Sequence, residues 1–131
     1  PIFFFFSNDS RKPNASWALM ALEIECGTEC EQLGYLATQV VKGLGKDSSR
    51  VSKVLLRNNP APARMAGNNA FKGFTSLKLL DTESLSQVSL GRPGLFLRDP
   101  NGNVILFYPA KNAGKPMLKD LKHLLKLSNI G

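Results

Sequence analysis

Two cysteines, Cys26 and Cys30, are the residues of this chain best suited to chemistry. They are the only cysteines among 131 residues, and they have the spacing C-x-x-x-C within the stretch EIECGTECEQ. Two thiols so spaced can meet the Cα separation of roughly 4.4–6.8 Å that a disulfide needs, or can chelate a soft metal ion through both sulfurs. Two buried structural thiols are a third interpretation, and spacing alone does not choose among the three.

Acidic residues surround both cysteines. Glu25, Glu29 and Glu31 each stand next to a cysteine in sequence, and nearby negative charge disfavours a thiolate. The pattern therefore argues against a strongly oxidising thiol pair and favours a reducing or metal-holding pair. Acidic residues are also common in the first turn of a helix, where they complement the helix dipole. A solvated helix start is accordingly the simpler explanation of the glutamates.

The elements around the cysteines follow a β-α-β pattern. Residues 17–25 are mostly apolar and are bounded by turns, which predicts a buried strand. Apolar residues recur at helical spacing over 30–44, and residues 50–57 predict a second buried strand, parallel to the first. Cys26 is thus predicted just past a strand end and Cys30 at a helix start, where open α/β sheets place their sites and the helix dipole stabilises a thiolate. If the pair is redox-active, Cys26 is the predicted attacking thiol and Cys30 the resolving one.

The second half of the chain predicts a hairpin and a final helix. Residues 58–74 are turn-rich and predict a short helix or an irregular insertion, and residues 75–90 predict a strand followed by a helical turn. Residues 93–109 hold two apolar strands around the turn DPNG, which indicates a β-hairpin. An amphipathic helix is predicted over residues 115–129. The order predicts an α/β domain over residues 15–131 with a thioredoxin-like fold, in which a central mixed sheet carries helices on both faces.

Pro93 and His123 are further residues with a candidate role. Pro93 stands immediately before the strand GLFLRDP, where thioredoxin-like folds carry a cis proline that packs against the cysteine pair. An ordinary trans proline at a strand start is the alternative. His123 is the only histidine, and it falls beside the lysines of the last helix, which predicts a solvated surface residue. Met65, in the irregular middle, is then the one remaining soft ligand, with weak support.

The chain carries a formal net charge of +7, and its last helix bears a stripe of Lys119, Lys122 and Lys126. A basic surface suits lipid headgroups, nucleic acid or an acidic protein patch, and it equally suits simple solubility. The sequence has no phosphate-binding loop and no base-stacking pattern of aromatic and basic residues, so a nucleic-acid partner is not expected. Residues 1–14 begin PIFFFF and are too few for a bilayer span of about 20 apolar residues. They are predicted to be an N-terminal arm or the remnant of a membrane anchor.

Four stretches of the chain resemble a known family, namely WALMALEIECGTEC, VVKGLGKDSSRVSKVLL, LFLRDPNGNVILFYP and LLKLSNIG. They look like small bacterial proteins with a thioredoxin-like domain that are associated with cytochrome c oxidase biogenesis and are similar to the Sco/SenC copper chaperones. The resemblance covers roughly residues 17–131. Sco proteins have prolines in the cysteine motif and a copper-ligating histidine shortly before the DP-x-G strand. This chain has Gly27 in the motif and no histidine in SLGRPGLFLRDPNG.

The resemblance implies a function with two alternatives. The first is a thiol–disulfide protein, tethered to the bacterial inner membrane and facing the periplasm, that assists assembly of the copper site of cytochrome c oxidase. Cys26 would attack, Cys30 would resolve and Pro93 would shape the groove, on an oxidase subunit or a copper chaperone protein and with no cofactor required. The second is a Sco-like chaperone in which Cys26 and Cys30 bind copper. The third is a non-catalytic interaction domain that docks through its lysines.

Overall fold

Five strands and three helices make up the part of the chain that the computed structural model describes, which is residues 16–22, 28–58, 69–79, 83–90 and 92–128. They run in the order β1 (Trp17–Leu22), α1 (Thr28–Gly43), β2 (Val51–Asn58), β3 (Thr75–Leu79), α2 (Glu83–Ser89), β4 (Gly94–Arg98), β5 (Val104–Pro109) and α3 (Lys115–Leu127). Short 3₁₀ helices occupy Gly45–Arg50, Asn69–Phe71 and Ala110–Asn112. Residues 1–14, the predicted arm, lie outside the described residues.

The sheet has β1 at its centre. The strand order is β3-β2-β1-β4-β5. Strands β1, β2 and β3 run parallel, while β4 is antiparallel to β1 and β5 is antiparallel to β4. Because parallel neighbours need a crossover connection, α1 joins β1 to β2 across a face of the sheet. This arrangement confirms the predicted mixed sheet of the thioredoxin-like class.

Alternation along β1 divides the hydrophobic core into two clusters, one on each face of the sheet. Leu19 packs in a cluster with Leu33 of α1 and Leu121 of α3. Its neighbour Met20 packs in the other cluster with Leu85 of α2. Successive side chains of a strand point to opposite faces, so the helices cover both faces of the sheet, as predicted. Burial on both faces also explains why β1 is an uninterrupted apolar run.

The first helix buries the stripe that its sequence predicts. Leu33, Ala37 and Val40 are each at most 2% exposed, and their spacing places them on one helical face. Gly34 allows close approach of the 3₁₀ helix that precedes β3, because a methyl group there would lie 2.6 Å from the carbonyl carbon of Ala70. The helix begins at Thr28, before the predicted start at residue 30.

The predicted hairpin is present as β4 and β5. The carboxylate of Asp99 accepts hydrogen bonds from the backbone N–H groups of Asn101 at 3.0 Å and Asn103 at 2.9 Å. Gly102 has a φ of 93°, in the left-handed region that glycine adopts without strain. The turn residues therefore fix the hairpin locally, which is why the sequence predicts it well.

The turn-rich middle is the least regular part of the described chain. Its 3₁₀ helix Asn69–Phe71 agrees with one of the two predicted alternatives, and residues 59–68 lie outside the described residues. The strand and helical turn predicted over 75–90 are present as β3 and α2. Strand β3 is the outer strand on the opposite side of the sheet from β5.

Candidate functional site

In sequence, the predicted cysteine pair spans the passage from β1 to α1. Strand β1 ends at Leu22 and α1 begins at Thr28, so the backbone of Cys30 belongs to the first turn of α1. Cys26 and the side chain of Cys30 lie outside the described residues. The first turn of a helix has unpaired N–H groups and the positive end of the dipole, which favours a thiolate. The attacking role of Cys26 and the resolving role of Cys30 stay predictions.

The strand register locates Pro93, which directly precedes β4. Ala21 of β1 pairs with Leu95 of β4. Because β4 is antiparallel to β1, the start of β4 lies beside the carboxyl end of β1. The backbone therefore brings three features to one edge of the sheet. We call this the cysteine edge, and it comprises the end of β1 at Leu22, the first turn of α1 and Pro93.

Hydrogen bonds hold the backbone around Pro93. The N–H of Ala110 donates to the carbonyl of Pro93 at 3.0 Å. The backbone N–H and Nε of Arg92 both donate to the carbonyl of Ser89, at 3.1 and 3.0 Å. The described residues contain no cis peptide bond, so the Arg92–Pro93 bond is trans. The thioredoxin-like resemblance implies a cis proline here, and this chain differs from it.

Leu90, just after α2 and three residues before Pro93, is a feature that sequence reasoning misses. Its φ is 57°, in the left-handed region, and 76% of its surface is exposed. A left-handed conformation costs an L-residue about 1–2 kcal/mol, so the surroundings must hold Leu90 in place. The sequence does carry one signal for this feature, because Leu90 is an apolar residue inside SLGRP, whose other residues are typical of a turn. Leu90 therefore offers apolar surface shortly before Pro93.

A second region of interest is an open groove between β5 and α3. Its volume is about 630 Å³. The floor is apolar and the rim is mostly basic, and we call it the basic groove; it is lined by Ile105, Leu106, Lys119, Asp120, Lys122, His123, Leu124 and Lys126. The sequence predicts the lysine stripe and an exposed His123, and both are exposed here. The groove itself escapes sequence reasoning because it forms only when α3 packs beside β5.

Two polar contacts fix α3 at either end of the basic groove. The hydroxyl of Tyr108 on β5 donates to the carboxylate of Asp120 on α3. Burial, followed by this hydrogen bond and the charge of Asp120, raises the pKa of Tyr108 well above its ordinary value. At the other end, the guanidinium of Arg50 donates to the carbonyls of Leu125 and Ser128, each at 3.0 Å. These carbonyls lie at the C-terminal end of α3, where the regular bonds of the helix run out; the carbonyl of Leu125 also accepts the N–H of Ser128 at 3.3 Å.

The described residues offer no cluster of side chains that could hold a metal ion. Within the described ranges, no three His, Cys, Asp or Glu side chains are grouped to bind one. Met20 and Met117 are buried in the core at 1% and 0% exposure. His123 lies in the basic groove, and Met65 lies outside the described residues. Cys26 and Cys30 stay the predicted copper ligands.

Comparison with known sequences defines the family. The sequence model described as "Transmembrane-like, thioredoxin-like, C-terminal domain" matches residues 17–128. The chain belongs to this family. No curated protein matches the chain in sequence. Across the described ranges of this family member, no helix combines the length and apolar character needed to cross a membrane.

Solved structures of thioredoxin-like proteins share the fold of this family member. Sco1 from Thermus thermophilus has a TM-score of 0.58 at 16% identity, over 88% of this chain and 81% of that one. Copper-bound ScoI from Bradyrhizobium japonicum has a TM-score of 0.55 at 16% identity, over 82% of this chain and 84% of that one. The thioredoxin domain of a thiol-disulfide oxidoreductase from Bacteroides vulgatus has a TM-score of 0.57 at 13% identity, over 82% of this chain and 80% of that one. These matches confirm the thioredoxin-like fold and, at the level of fold, the resemblance to Sco/SenC proteins.

Proposed function

We propose that this protein is a thiol–disulfide protein that assists assembly of the copper site of cytochrome c oxidase. It acts at the periplasmic side of the bacterial inner membrane, to which it is tethered. The observation that carries the proposal is the cysteine edge, where the C-x-x-x-C motif runs from β1 into α1 and Pro93 begins the neighbouring strand. The family description as transmembrane-like supports the tether, and the fold likeness to Sco1 supports the role in oxidase assembly.

The proposed reaction is a dithiol–disulfide exchange. The Cys26 thiolate attacks one sulfur of a partner disulfide, so that a Cys26–partner bond forms while the second partner sulfur leaves as a thiolate and takes up a proton. The Cys30 thiolate then attacks the Cys26 sulfur, which releases the first partner sulfur as a thiolate. The partner gains two electrons and two protons, and the pair becomes a disulfide. The partner is an oxidase subunit or a copper chaperone protein whose copper-ligand cysteines must stay reduced.

The surroundings of the cysteine edge support this direction of electron flow. The dipole of α1 favours a thiolate at its first turn, while the sequence of the motif adds neighbouring glutamates that oppose it. Glu31 is exposed, which agrees with a solvated helix start. A balance of these two effects suits a thiol of moderate reactivity in a reducing pair. The apolar surface of Leu90, three residues before the half-buried Pro93 in sequence, is available to contact the chain of a partner.

A redox titration against glutathione, followed by mass mapping of the cysteine peptides, tests the proposal. We expect a reversible intramolecular disulfide between Cys26 and Cys30. Cys30→Ser should accumulate a mixed disulfide with a disulfide-containing substrate peptide, because the resolving thiol is missing, whereas the matched Cys26→Ser should not. Absence of a reversible Cys26–Cys30 disulfide in the wild-type protein would overturn the proposal.

A copper chaperone is the second candidate, favoured by the similarity in fold to the copper-bound ScoI. Two thiolates suit Cu(I), and the described residues add no third ligand near them. Anaerobic competition for Cu(I) with a chelator decides the matter: loss of binding in both Cys26→Ser and Cys30→Ser supports the role. His123→Ala is the matched control, since His123 lies in the basic groove. Cu(I) binding that survives both cysteine changes rejects the candidate.

A further inference from the structure

The basic groove has a charge pattern that simple helix stability does not explain. Lys119, Lys122 and Lys126 line it against a single acid, Asp120, which is engaged by the hydroxyl of Tyr108. A lysine in the last turn of a helix complements the dipole, which accounts for Lys126. Lys119 and Lys122 lie earlier in α3, where the dipole gives no such benefit. The groove therefore presents uncompensated positive charge along one wall.

The floor of the groove is apolar and belongs partly to an edge strand. Ile105 and Leu106 of β5 and Leu124 of α3 form the floor. Strand β5 is the last in the sheet order, and among the described residues no strand pairs with its outer side. Such an edge presents free backbone N–H and C=O groups, which can pair with an added chain.

Strand β5 carries only part of the usual protection of an edge. Natural edge strands are commonly guarded by charged side chains, proline or a bulge. The sequence of β5, VILFYP, has no charged residue, and its single proline, Pro109, is at the end of the strand. One register shift falls between β4 and β5: Leu97 pairs with Leu106 and Arg98 with Val104, so Ile105 is an extra residue and forms a bulge on β5. Between the bulge and the proline, over residues 106–108, no described strand covers the outer edge of β5, and this stretch can accept an added strand.

We propose that the basic groove binds an extended, acidic segment of a partner protein, which adds as a strand along the outer edge of β5. Alternate side chains of an extended strand point to the same face, so every second residue of the segment reaches the groove. Apolar side chains there contact Ile105 and Leu124, and carboxylates meet the lysines of α3. This inference is independent of the cysteine chemistry.

The shape of the region favours a polypeptide over a membrane surface. A helix that lies on a membrane inserts a protruding apolar face among the lipids, with lysines at its borders. In the basic groove the apolar residues form the recessed floor and the lysines form the rim. An extended segment can reach that floor, whereas a lipid surface would meet the lysines first. Charge complementarity then selects an acidic segment.

Fluorescence anisotropy tests the proposal with a synthetic peptide in which every second residue is in turn valine and glutamate, with serine at the positions between, so that one face of the strand carries both side chains. We expect saturable binding that weakens with added salt. The double variant Lys119→Glu/Lys122→Glu should bind about tenfold more weakly. Its matched control, Lys46→Glu/Lys72→Glu, makes the same charge change at exposed lysines outside the groove and should bind like wild type. Circular dichroism of each variant establishes that it is folded.

Two further measurements separate the proposal from its competitors. A peptide N-methylated at every residue cannot donate the hydrogen bonds of strand addition from either edge, so we expect its binding to be lost. Equal binding of the methylated peptide, or equal binding by both double variants, would overturn the proposal. Tight binding to anionic phospholipid vesicles without binding to the peptide would also overturn it. The variant Cys26→Ser/Cys30→Ser should bind the peptide normally, so failure of the thiol proposal leaves this one standing.

Discussion

The cysteine edge and the basic groove lie on one sheet but are built in different ways. The cysteine edge is made where strands and a helix begin or end, so the backbone register of β1, β4 and β5 determines it. The basic groove is made by side chains of α3 packed beside β5, so it depends on how α3 is held. Their charges also differ, because glutamates surround the cysteine motif in sequence while lysines line the groove. Changes to strand register and changes to helix anchoring should therefore affect the two regions separately.

Gly94 offers the strongest way to disturb the cysteine edge. It follows Pro93 and is buried, and a methyl group there would lie 2.5 Å from Cζ and 2.6 Å from Cε1 of Phe107. Gly94→Ala must displace β4 from β5 at the start of the strand, and should lower the free energy of unfolding by about 3 kcal/mol. Urea unfolding measures the loss. Gly43→Ala is the matched control, since its methyl group would meet only the movable Leu118 side chain.

The Gly43→Ala control should change stability by less than about 1 kcal/mol, because helix propensity offsets the local contact. If Gly94→Ala proved equally mild, the sheet could absorb a methyl group at this position. The close register at the cysteine edge would then be a less strict requirement than the packing implies.

Arg50 offers the corresponding way to disturb the basic groove. Arg50→Met removes charge-assisted hydrogen bonds to the carbonyls of Leu125 and Ser128, and should cost about 2 kcal/mol. Hydrogen exchange should quicken in the last turn of α3 while β4 stays protected. Arg92→Met is the matched arginine change at the cysteine edge. Its bond to Ser89 is local in sequence, so we expect it to cost less.

Faster exchange in β4 than in α3 after the Arg50→Met change would contradict the separation of the two regions. If Arg50→Met and Arg92→Met lowered the free energy of unfolding equally, the distant bonds of Arg50 to α3 would stabilise the protein no more than the local bond of Arg92 does.

Tyr108→Phe should give the smallest loss of stability, and the pH dependence of that loss tests the raised pKa of Tyr108. Removing the hydroxyl that binds Asp120 should cost about 1 kcal/mol near neutral pH. Because the pKa of Tyr108 is raised in the folded protein, the unfolded chain loses this proton first, near its ordinary pKa of about 10. The advantage of wild type over Tyr108→Phe is therefore fully present below that pH and shrinks as the pH rises above it.

Denaturant unfolding of both proteins between neutral and strongly alkaline pH measures this difference directly. The comparison subtracts the titration of the lysines, which both proteins share. An advantage that stays constant into the alkaline range would show that the hydroxyl has no raised pKa and that Asp120 does not hold it.

The sequence predicts well those features whose causes are local. The DPNG turn determines the hairpin because Asp99 and Gly102 satisfy the turn by themselves. Helical spacing of apolar residues predicts α1 and α3, since one face of each must be buried. The thioredoxin-like class follows from the order of these elements. The roles of Cys26, Cys30 and Pro93 stay predictions that rest on motif, topology and resemblance.

Other features depend on residues distant in sequence and escape such reasoning. Arg98 ends the apolar strand GLFLR yet is only 7% exposed, and its Nε has no hydrogen-bond partner in the described part of the chain. Its place on the face shared with Ala18 and Phe96 follows from strand pairing. The left-handed Leu90 and the trans bond before Pro93 likewise depend on how α2 and β4 are joined.

By itself, the sequence determined the kinds of element, their order and the residues able to do chemistry. It did so because periodicity, turn residues and thiol spacing act over short stretches of chain. Only the tertiary structure decided that β5 is an outer strand of the described sheet and that α3 lies beside it to form the basic groove. That decision comes from burying the apolar face of α3 on the sheet, with Arg50 and Tyr108 joining elements that the sequence keeps apart.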